Sequence, residues 1–174
     1  MNTTRVAEPD DLPLLSRIEA AGDAMFADHF GHDPGWPPPT EGAVRATEPG
    51  FLLVAVRGVE VVGFAHVLEL DGRMHLEQLA VDPASQGCGH GRALVEAAMR
   101  RAAAAGERRM TLMTYADVPW NAPLYRHLGF VEAEPTEPYQ HRLVEIERRL
   151  GLEQEGRRVL MEIDLVAPRP APAP

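Results

Sequence analysis

The spacing of apolar positions predicts helices and strands along most of the chain. Leu15, Ile18, Gly22 and Met25 recur at helical spacing, whereas residues 159–165 alternate apolar and polar side chains as a half-buried strand does. Helices are predicted over residues 10–30, 41–47, 90–105, 121–127 and 139–150, and strands over residues 51–56, 59–70, 74–81, 110–115, 130–133 and 159–165. This order predicts an α/β (α+β) domain in which helices flank one central, mixed, twisted sheet of six or seven strands.

Length and composition agree with a single domain. The chain has 174 residues, of which 45% are hydrophobic and 25% are charged, and this supports one core of ordinary size. We predict that the domain covers residues 1–166 and that the Pro-Ala-rich residues 167–174 form a disordered, extended tail. The single cysteine, Cys88, excludes an intrachain disulfide and a cysteine-rich metal site, and we expect no metal.

The charge pattern narrows the possible partners. The chain carries 17 cationic residues, all of them arginine, against 26 acidic ones, for a net charge of −9. Because it has no basic run, it is a poor candidate for binding nucleic acid. Its apolar runs are shorter than the roughly 18 residues that span a bilayer, and acidic residues stand where a signal peptide needs an apolar stretch. We therefore expect a soluble, cytoplasmic protein without membrane contact, and its acidity is compatible with a cationic small-molecule ligand.

The most informative segment is a predicted strand end, a glycine-rich turn and a helix start over residues 79–94. Gly87, Gly89 and Gly91 allow a ligand to approach the backbone closely, and the first N–H groups of the following helix lack partners within the helix. Together with the helix dipole, these groups favour a phosphate or pyrophosphate. A P-loop is excluded because Arg92 follows Gly91 where lysine is required, and the glycine spacing does not fit the dinucleotide fingerprint GxGxxG.

The remaining pattern in this segment is Q-x-x-G-x-G, from Gln86 to Gly91, preceded by LAVDP and followed by a helix. A second pattern lies at residues 121–130, NAPLYRHLGF, where an Asn and a Tyr four residues apart precede L-G-F. Together the two patterns resemble the GNAT superfamily of N-acetyltransferases over roughly residues 51–130 and in the expected order. The resemblance implies an acetyl-CoA-dependent N-acetyltransferase with acetyl-CoA as cosubstrate.

The resemblance also implies roles for individual residues. The backbone of Leu79, Ala80 and Val81 would bind the pantetheine arm and hold the acetyl carbonyl, and Asn121 would bind the pantetheine amides. Tyr125, one helical turn after Asn121, would contact the cosubstrate and protonate the leaving thiolate. The pyrophosphate would lie in the loop that begins at Gln86, against the N–H groups of Gly87, Cys88, Gly89, His90, Gly91 and Arg92.

Acetylation of an amine also needs a group that removes a proton from it. Strand alternation predicts that His75, Glu77 and Leu79 share one face that leads toward the acetyl site. Glu77 is therefore the first candidate for the base and His75 the second, and a water molecule could relay the proton. His66 and Glu69, on the neighbouring strand, are outside candidates.

We predict that the acceptor is a small-molecule amine that attacks the thioester directly. The acceptor site is expected between the first helix, residues 33–40 and the stretch after Phe130, and Glu77 and Trp36 are the candidate substrate-binding residues. Trp36 lies among prolines, where it either walls the pocket or plugs the domain. The stretch after Phe130 contributes a cluster of carboxylates, Glu132, Glu134 and Glu137.

Three alternatives remain open on the sequence. The chain could acetylate the N-terminus or a side chain of a peptide or protein, which requires an open groove. It could bind acyl-CoA as a non-catalytic sensor, or it could use Cys88 as a nucleophile. A homodimer that pairs through the last strands is a possible assembly.

Overall fold

The computed structural model of the protein describes residues 2–165, and the predicted tail at residues 167–174 lies outside the described residues. The strands are β1 (Asn2–Val6), β2 (Gly50–Arg57), β3 (Glu60–Leu70), β4 (Arg73–Val81), β5 (Arg109–Tyr115), β6 (Val131–Ala133) and β7 (Arg158–Asp164). The helices are α1 (Leu12–Phe30), α2 (Gly42–Arg45), α3 (His90–Ala104), α4 (Ala122–His127) and α5 (Pro138–Arg149). The predicted fold, one mixed sheet flanked by helices, is confirmed.

The seven strands form one sheet in the order β1-β2-β3-β4-β5-β7-β6. All neighbours are antiparallel except β4 and β5, which run parallel and pair only from Met74–Met110 to Leu76–Leu112. Beyond these three pairs the two strands separate, although β4 continues to Val81 and β5 to Tyr115. The backbone of residues 77–81 thus has no strand partner on its β5 side, so its N–H and C=O groups on that side are available to a ligand.

Helices cover both faces of the sheet. On one face, α3 buries Leu94, Val95 and Ala98 against a cluster that includes Leu76 of β4. On the other face, α1 packs Leu15 and Ile18 on Leu52, Val54, Val56, Val61, Phe64 and Ala80. The end of β4 is therefore held between two apolar layers, which makes it a rigid support for a binding site.

The strand β1 is an element that the hydrophobic pattern did not predict. Its residues are mostly polar, and it pairs antiparallel with β2 from Asn2–Arg57 to Val6–Leu53. A free edge of a sheet offers backbone hydrogen bonds to any extended segment, so β2 rather than the side chains of β1 specifies this strand. The other predicted elements agree with the structure within a few residues.

A β-bulge at Glu77 changes which side chains of β4 share a face. Val67 of β3 lies opposite Leu76, whereas its neighbour His66 lies opposite Gln78, so Glu77 has no partner in β3. The extra residue reverses the alternation, because paired residues in neighbouring strands point to the same face. The prediction that His75, Glu77 and Leu79 share one face is therefore wrong. Leu79 packs with the cluster on the α3 side, and His75 lies on the opposite face.

Candidate active site

A cleft of about 370 Å³ opens where β4 and β5 separate. Its walls are α1, the end of β4, the loop that follows β4, the first turn of α3, and α4. The cleft is lined by all the predicted cosubstrate-binding residues except Cys88, namely Leu79, Ala80, Val81, Gln86, Gly87, Gly89, His90, Gly91, Arg92, Asn121 and Tyr125. The structure thus brings together, in one cavity, two sequence patterns that lie about 30 residues apart in the chain.

One end of the cleft is formed by the glycine-rich turn and the start of α3. Gly87 and Gly89 have φ angles of +72° and +81°, a left-handed conformation that glycine adopts without strain. No backbone or side-chain acceptor within residues 2–165 takes up the N–H groups from Gly87 to Arg92. These free donors at the positive end of α3 suit the pyrophosphate of acetyl-CoA.

Two buried polar atoms on this wall also lack partners in the described structure. Ser85 and His90 are 1% and 3% exposed, and neither the Ser85 Oγ nor the His90 Nε2 makes a hydrogen bond within residues 2–165. Buried polar atoms without partners are rare in folded proteins because desolvation is then uncompensated. Both residues line the cleft. A polar ligand such as acetyl-CoA could therefore form hydrogen bonds with the Ser85 hydroxyl and the His90 Nε2.

The other end of the cleft carries Asn121 and Tyr125. Asn121 precedes α4, and its side chain does not cap the helix. Tyr125 is 8% exposed, its ring packs edge-on against Phe130 at 5.8 Å, and its hydroxyl forms no hydrogen bond with the described residues. Burial raises the pKa of Tyr125 well above its usual value of 10.0, which keeps the phenol protonated near neutral pH and able to donate a proton.

Two carboxylates of α1, Glu19 and Asp23, also line the cleft, and the sequence analysis did not single them out. Arg45 of α2 donates from Nη2 to a carboxylate oxygen of Glu19 at 2.7 Å. Burial raises the pKa of Glu19 to about 7, and the neighbouring Asp23 raises it further, although Arg45 opposes the shift. Burial also raises the pKa of Asp23. A glutamate at helical spacing from Leu15, inside the apolar face of α1, is the signal that could have identified this site.

The two predicted bases, His75 and Glu77, do not line the cleft. His75 is 2% exposed, its Nδ1 lies 2.8 Å from the Thr111 hydroxyl, and burial lowers its pKa to about 4. Glu77 lies on the same face, with a carboxylate oxygen 4.0 Å from the His75 Nε2 and a side chain that is 41% exposed. Burial raises the pKa of Glu77, and Arg45 opposes the rise.

Trp36 belongs to a half-buried aromatic cluster that stands beside the cleft. It stacks on Tyr115 at 6.2 Å and meets Phe26 edge-on at 5.2 Å, and Phe26 in turn meets Trp120 at 5.4 Å. Phe26 and Trp120 line the cleft, whereas Trp36 and Tyr115 do not. With Phe30, this aromatic cluster contains half of the Trp, Tyr and Phe residues of the chain.

The predicted carboxylate cluster after Phe130 consists mainly of surface ion pairs. Glu132 pairs with Arg126 and Arg157, and Glu137 pairs with Arg73, so two of the three carboxylates are already neutralised. Within residues 2–165, no group of three or more His, Cys, Asp or Glu side chains is arranged to hold a metal ion. In the same range, no helix is both long and apolar enough to cross a membrane.

The chain is similar in sequence to one acetyltransferase and similar in fold to solved structures. The chain is 35% identical over 126 residues to a mycothiol acetyltransferase from Streptomyces scabiei. The matched region covers 67% of this chain but only 40% of that relative. The fold is similar to that of the ribosomal-protein-S18-alanine N-acetyltransferase from Escherichia coli, with a TM-score of 0.65, 21% identity, and coverage of 98% of this chain and 97% of the other. It is also similar to that of a Salmonella typhimurium protein solved with its cofactor acetyl-CoA, with a TM-score of 0.64, 20% identity, and coverage of 99% of this chain and 98% of the other.

The family model for acetyltransferases of the GNAT type matches residues 19–130, which contain the cleft and both sequence patterns. The match includes Glu19 and the whole of β4, β5, α3 and α4. The resemblance to the GNAT family that the two sequence patterns indicated is thereby confirmed. The separated strands, the free N–H groups of α3 and the residue match lead to one assignment: the chain belongs to the acetyltransferase (GNAT) family.

Proposed function

We propose that this protein transfers the acetyl group of acetyl-CoA to the amine of a small molecule, by direct attack of the amine on the thioester. The observation that carries this proposal is the composition of this one cleft. It has a row of free N–H donors at one end, and a protonated phenol, the buried carboxylate of Glu19 and the half-buried carboxylate of Asp23 at the other. Acetyl-CoA supplies the activated acetyl group, and the chain supplies groups that bind, orient and exchange protons.

Several residues would hold acetyl-CoA in this cleft. The N–H groups from Gly87 to Arg92 would bind its phosphates, and the unpaired backbone edge of residues 79–81 would bind the pantetheine arm. The Asn121 side chain, which is not used as a helix cap, would bind a pantetheine amide. Tyr125 would donate its hydroxyl proton to the departing sulfur, since its raised pKa keeps the phenol protonated until negative charge develops on that sulfur.

A small cationic acceptor is supported by the other wall of the cleft. Glu19 and Asp23 place two carboxylates next to the aromatic side chains of Phe26 and Trp120. Carboxylates attract an ammonium group, and aromatic faces attract both apolar groups and cations. A relative named for mycothiol, a small molecule, is consistent with this class of acceptor. The predicted bases Glu77 and His75 and the predicted substrate contact Trp36 stay predictions within this proposal.

The proposal is tested by a binding measurement followed by a turnover measurement. The protein is titrated with acetyl-CoA by calorimetry, and release of CoA thiol is then followed with a panel of small primary amines, polyamines and short peptides. We expect micromolar binding and thiol release with small amines. Release with peptides alone would favour a peptide acetyltransferase, binding without release would favour a sensor, and no binding at all would overturn the proposal.

A further inference from the structure

We infer that Glu19 and Asp23 form the acceptor-amine site of the cleft, with Glu19 as the base that takes the proton from the ammonium and Asp23 as the residue that holds it. This inference rests on the proposed function, since it assigns the acceptor side of the same cleft. The ligand class that it names is a primary ammonium group. It does not require Glu77 or His75 to move a proton.

The first support is the position of the two carboxylates. They lie four residues apart on α1 and therefore project from the same side of the helix. Both line the cleft together with Ala80 of β4 and Tyr125 of α4, which lie on the other walls. A group held by Glu19 and Asp23 would thus lie inside the cavity that contains the predicted acid, whereas Glu77 and His75 do not line that cavity.

The second support is the shortage of positive charge around these carboxylates. Arg45 is the cation that pairs with Glu19, at 2.7 Å, and it also donates to the Thr40 carbonyl and to the His66 Nδ1. Asp23 is half-buried, and within residues 2–165 no Lys, Arg or His side chain lies within ion-pair distance of it. Two desolvated carboxylates therefore share one guanidinium, and an ammonium group would supply the missing charge.

The third support is the rigid placement of Glu19. Its partner Arg45 is 6% exposed, and His66, which receives the second Arg45 hydrogen bond, is 1% exposed. The groups that face Glu19 are Arg45 from α2, Asp23 from its own helix and Glu77 from β4, while Glu48 lies beyond His66 at 3.7 Å. Arg45 and His66 are positioning residues, since they hold the carboxylate in one orientation without lining the cleft.

The proposed step balances in atoms and charge. The Glu19 carboxylate takes one proton from the ammonium, and the freed nitrogen lone pair forms a bond to the carbonyl carbon of the thioester. The carbon–sulfur bond breaks, and the sulfur leaves with the electron pair and takes the hydroxyl proton of Tyr125. The second proton on the nitrogen restores the Tyr125 hydroxyl, directly or through water, and Glu19 then releases its proton to solvent. The net products are the amide, the CoA thiol and one proton.

The test compares isosteric variants in the full chain. Glu19→Gln is expected to lower kcat about 100-fold, the loss typical of a missing general base, and to remove the acidic limb of the pH–rate profile. Asp23→Asn is expected to raise KM for the amine about tenfold with a small change in kcat, because it weakens binding of the ammonium. Both variants should bind acetyl-CoA as the wild type does. Asp28→Asn, an exposed position on the same helix, is the matched control for loss of one negative charge and should change neither constant.

Two competing variants and one independent measurement distinguish the failures. If Glu77→Gln or His75→Gln removes the acidic limb while Glu19→Gln keeps it, the inference is overturned although the proposed function stands. If the wild type binds acetyl-CoA but acetylates no amine, the proposed function fails. In that case butylamine is titrated calorimetrically into the CoA complex of the wild type and of Asp23→Asn. Binding that Asp23→Asn weakens about tenfold supports the amine site, and absent or unchanged binding refutes it.

Discussion

The buried carboxylate of Glu19 should make the stability of the protein depend on pH in a way that Glu19→Gln removes. The side chain is 11% exposed, and its pKa rises from 4.5 to about 7 on folding because burial disfavours the charged form. The folded state therefore binds more protons than the unfolded state between these two values. The stability that the neutral carboxyl contributes is fully present below the unfolded pKa and is lost as the pH rises through about 7.

The magnitude follows from the size of this shift. A difference of one in pKa corresponds to about 1.4 kcal/mol, so the change from 4.5 to about 7 corresponds to about 3 kcal/mol at pH values above 7. His66 and His75 act in the opposite direction, because burial lowers the pKa of each from 6.5 to about 4, and their contributions are lost as the pH falls. The pH dependence of the wild-type free energy of unfolding therefore combines contributions of opposite sign from Glu19 and from the two histidines.

The difference between the two proteins isolates Glu19, since both carry the same histidines. Glutamine resembles the neutral carboxyl and keeps an oxygen that can accept from Arg45. Near pH 5 we expect the free energy of unfolding of Glu19→Gln to differ from that of the wild type by a constant amount. Between pH 5 and pH 8 we expect this difference to change by about 3 kcal/mol in favour of the variant. Urea unfolding followed by circular dichroism at several pH values measures this difference. A difference in the free energy of unfolding that stays constant across this pH range would refute the assignment of a raised pKa to Glu19.

Five further substitutions probe the rest of the structure. Tyr125→Phe should lower kcat at least tenfold while the calorimetric affinity for acetyl-CoA is unchanged, and a change in affinity alone would contradict the acid role. Gly89→Ala and Gly58→Ala should each cost about 1–2 kcal/mol in urea unfolding, because both glycines have a positive φ, but Gly89→Ala alone should weaken binding of acetyl-CoA. Cys88→Ala should retain full activity in the thiol-release assay, and loss of activity would favour a thiol nucleophile. Phe64→Ala should cost about 3–5 kcal/mol in the same unfolding assay, since Phe64 is fully buried, and a smaller loss would show that the core relaxes around the cavity.

Family and fold could be read from the sequence because both depend on local patterns. The glycine turn from Gln86 to Gly91 and the residues from Asn121 to Phe130 each carry their signal within about ten residues. Backbone conformation and helix starts are local properties of the chain. The cleft in the structure is accordingly lined by the residues that these patterns identified, with the exception of Cys88.

The face of a strand residue is not a local property once a bulge intervenes. Simple alternation predicted that His75 and Leu79 lie on one face, but Glu77 has no partner in β3 and the alternation reverses there. The strand β1 was missed for a related reason, since its polar side chains carry no strand pattern and its pairing partner lies about 50 residues away.

The family, the order of most helices and strands, and the loop that is suited to phosphate could all be predicted from the amino-acid sequence, because glycines, caps and apolar spacing act over a few residues. The fold brings Glu19 and Asp23 of α1 to the end of β4, buries Glu19 beside its one cationic partner, Arg45, and leaves Asp23 half-buried without an ion pair among the described residues. The pKa of a carboxyl depends on desolvation and on charges that distant segments contribute. No spacing along the chain specifies that environment, and the chemistry proposed for the acceptor depends on it.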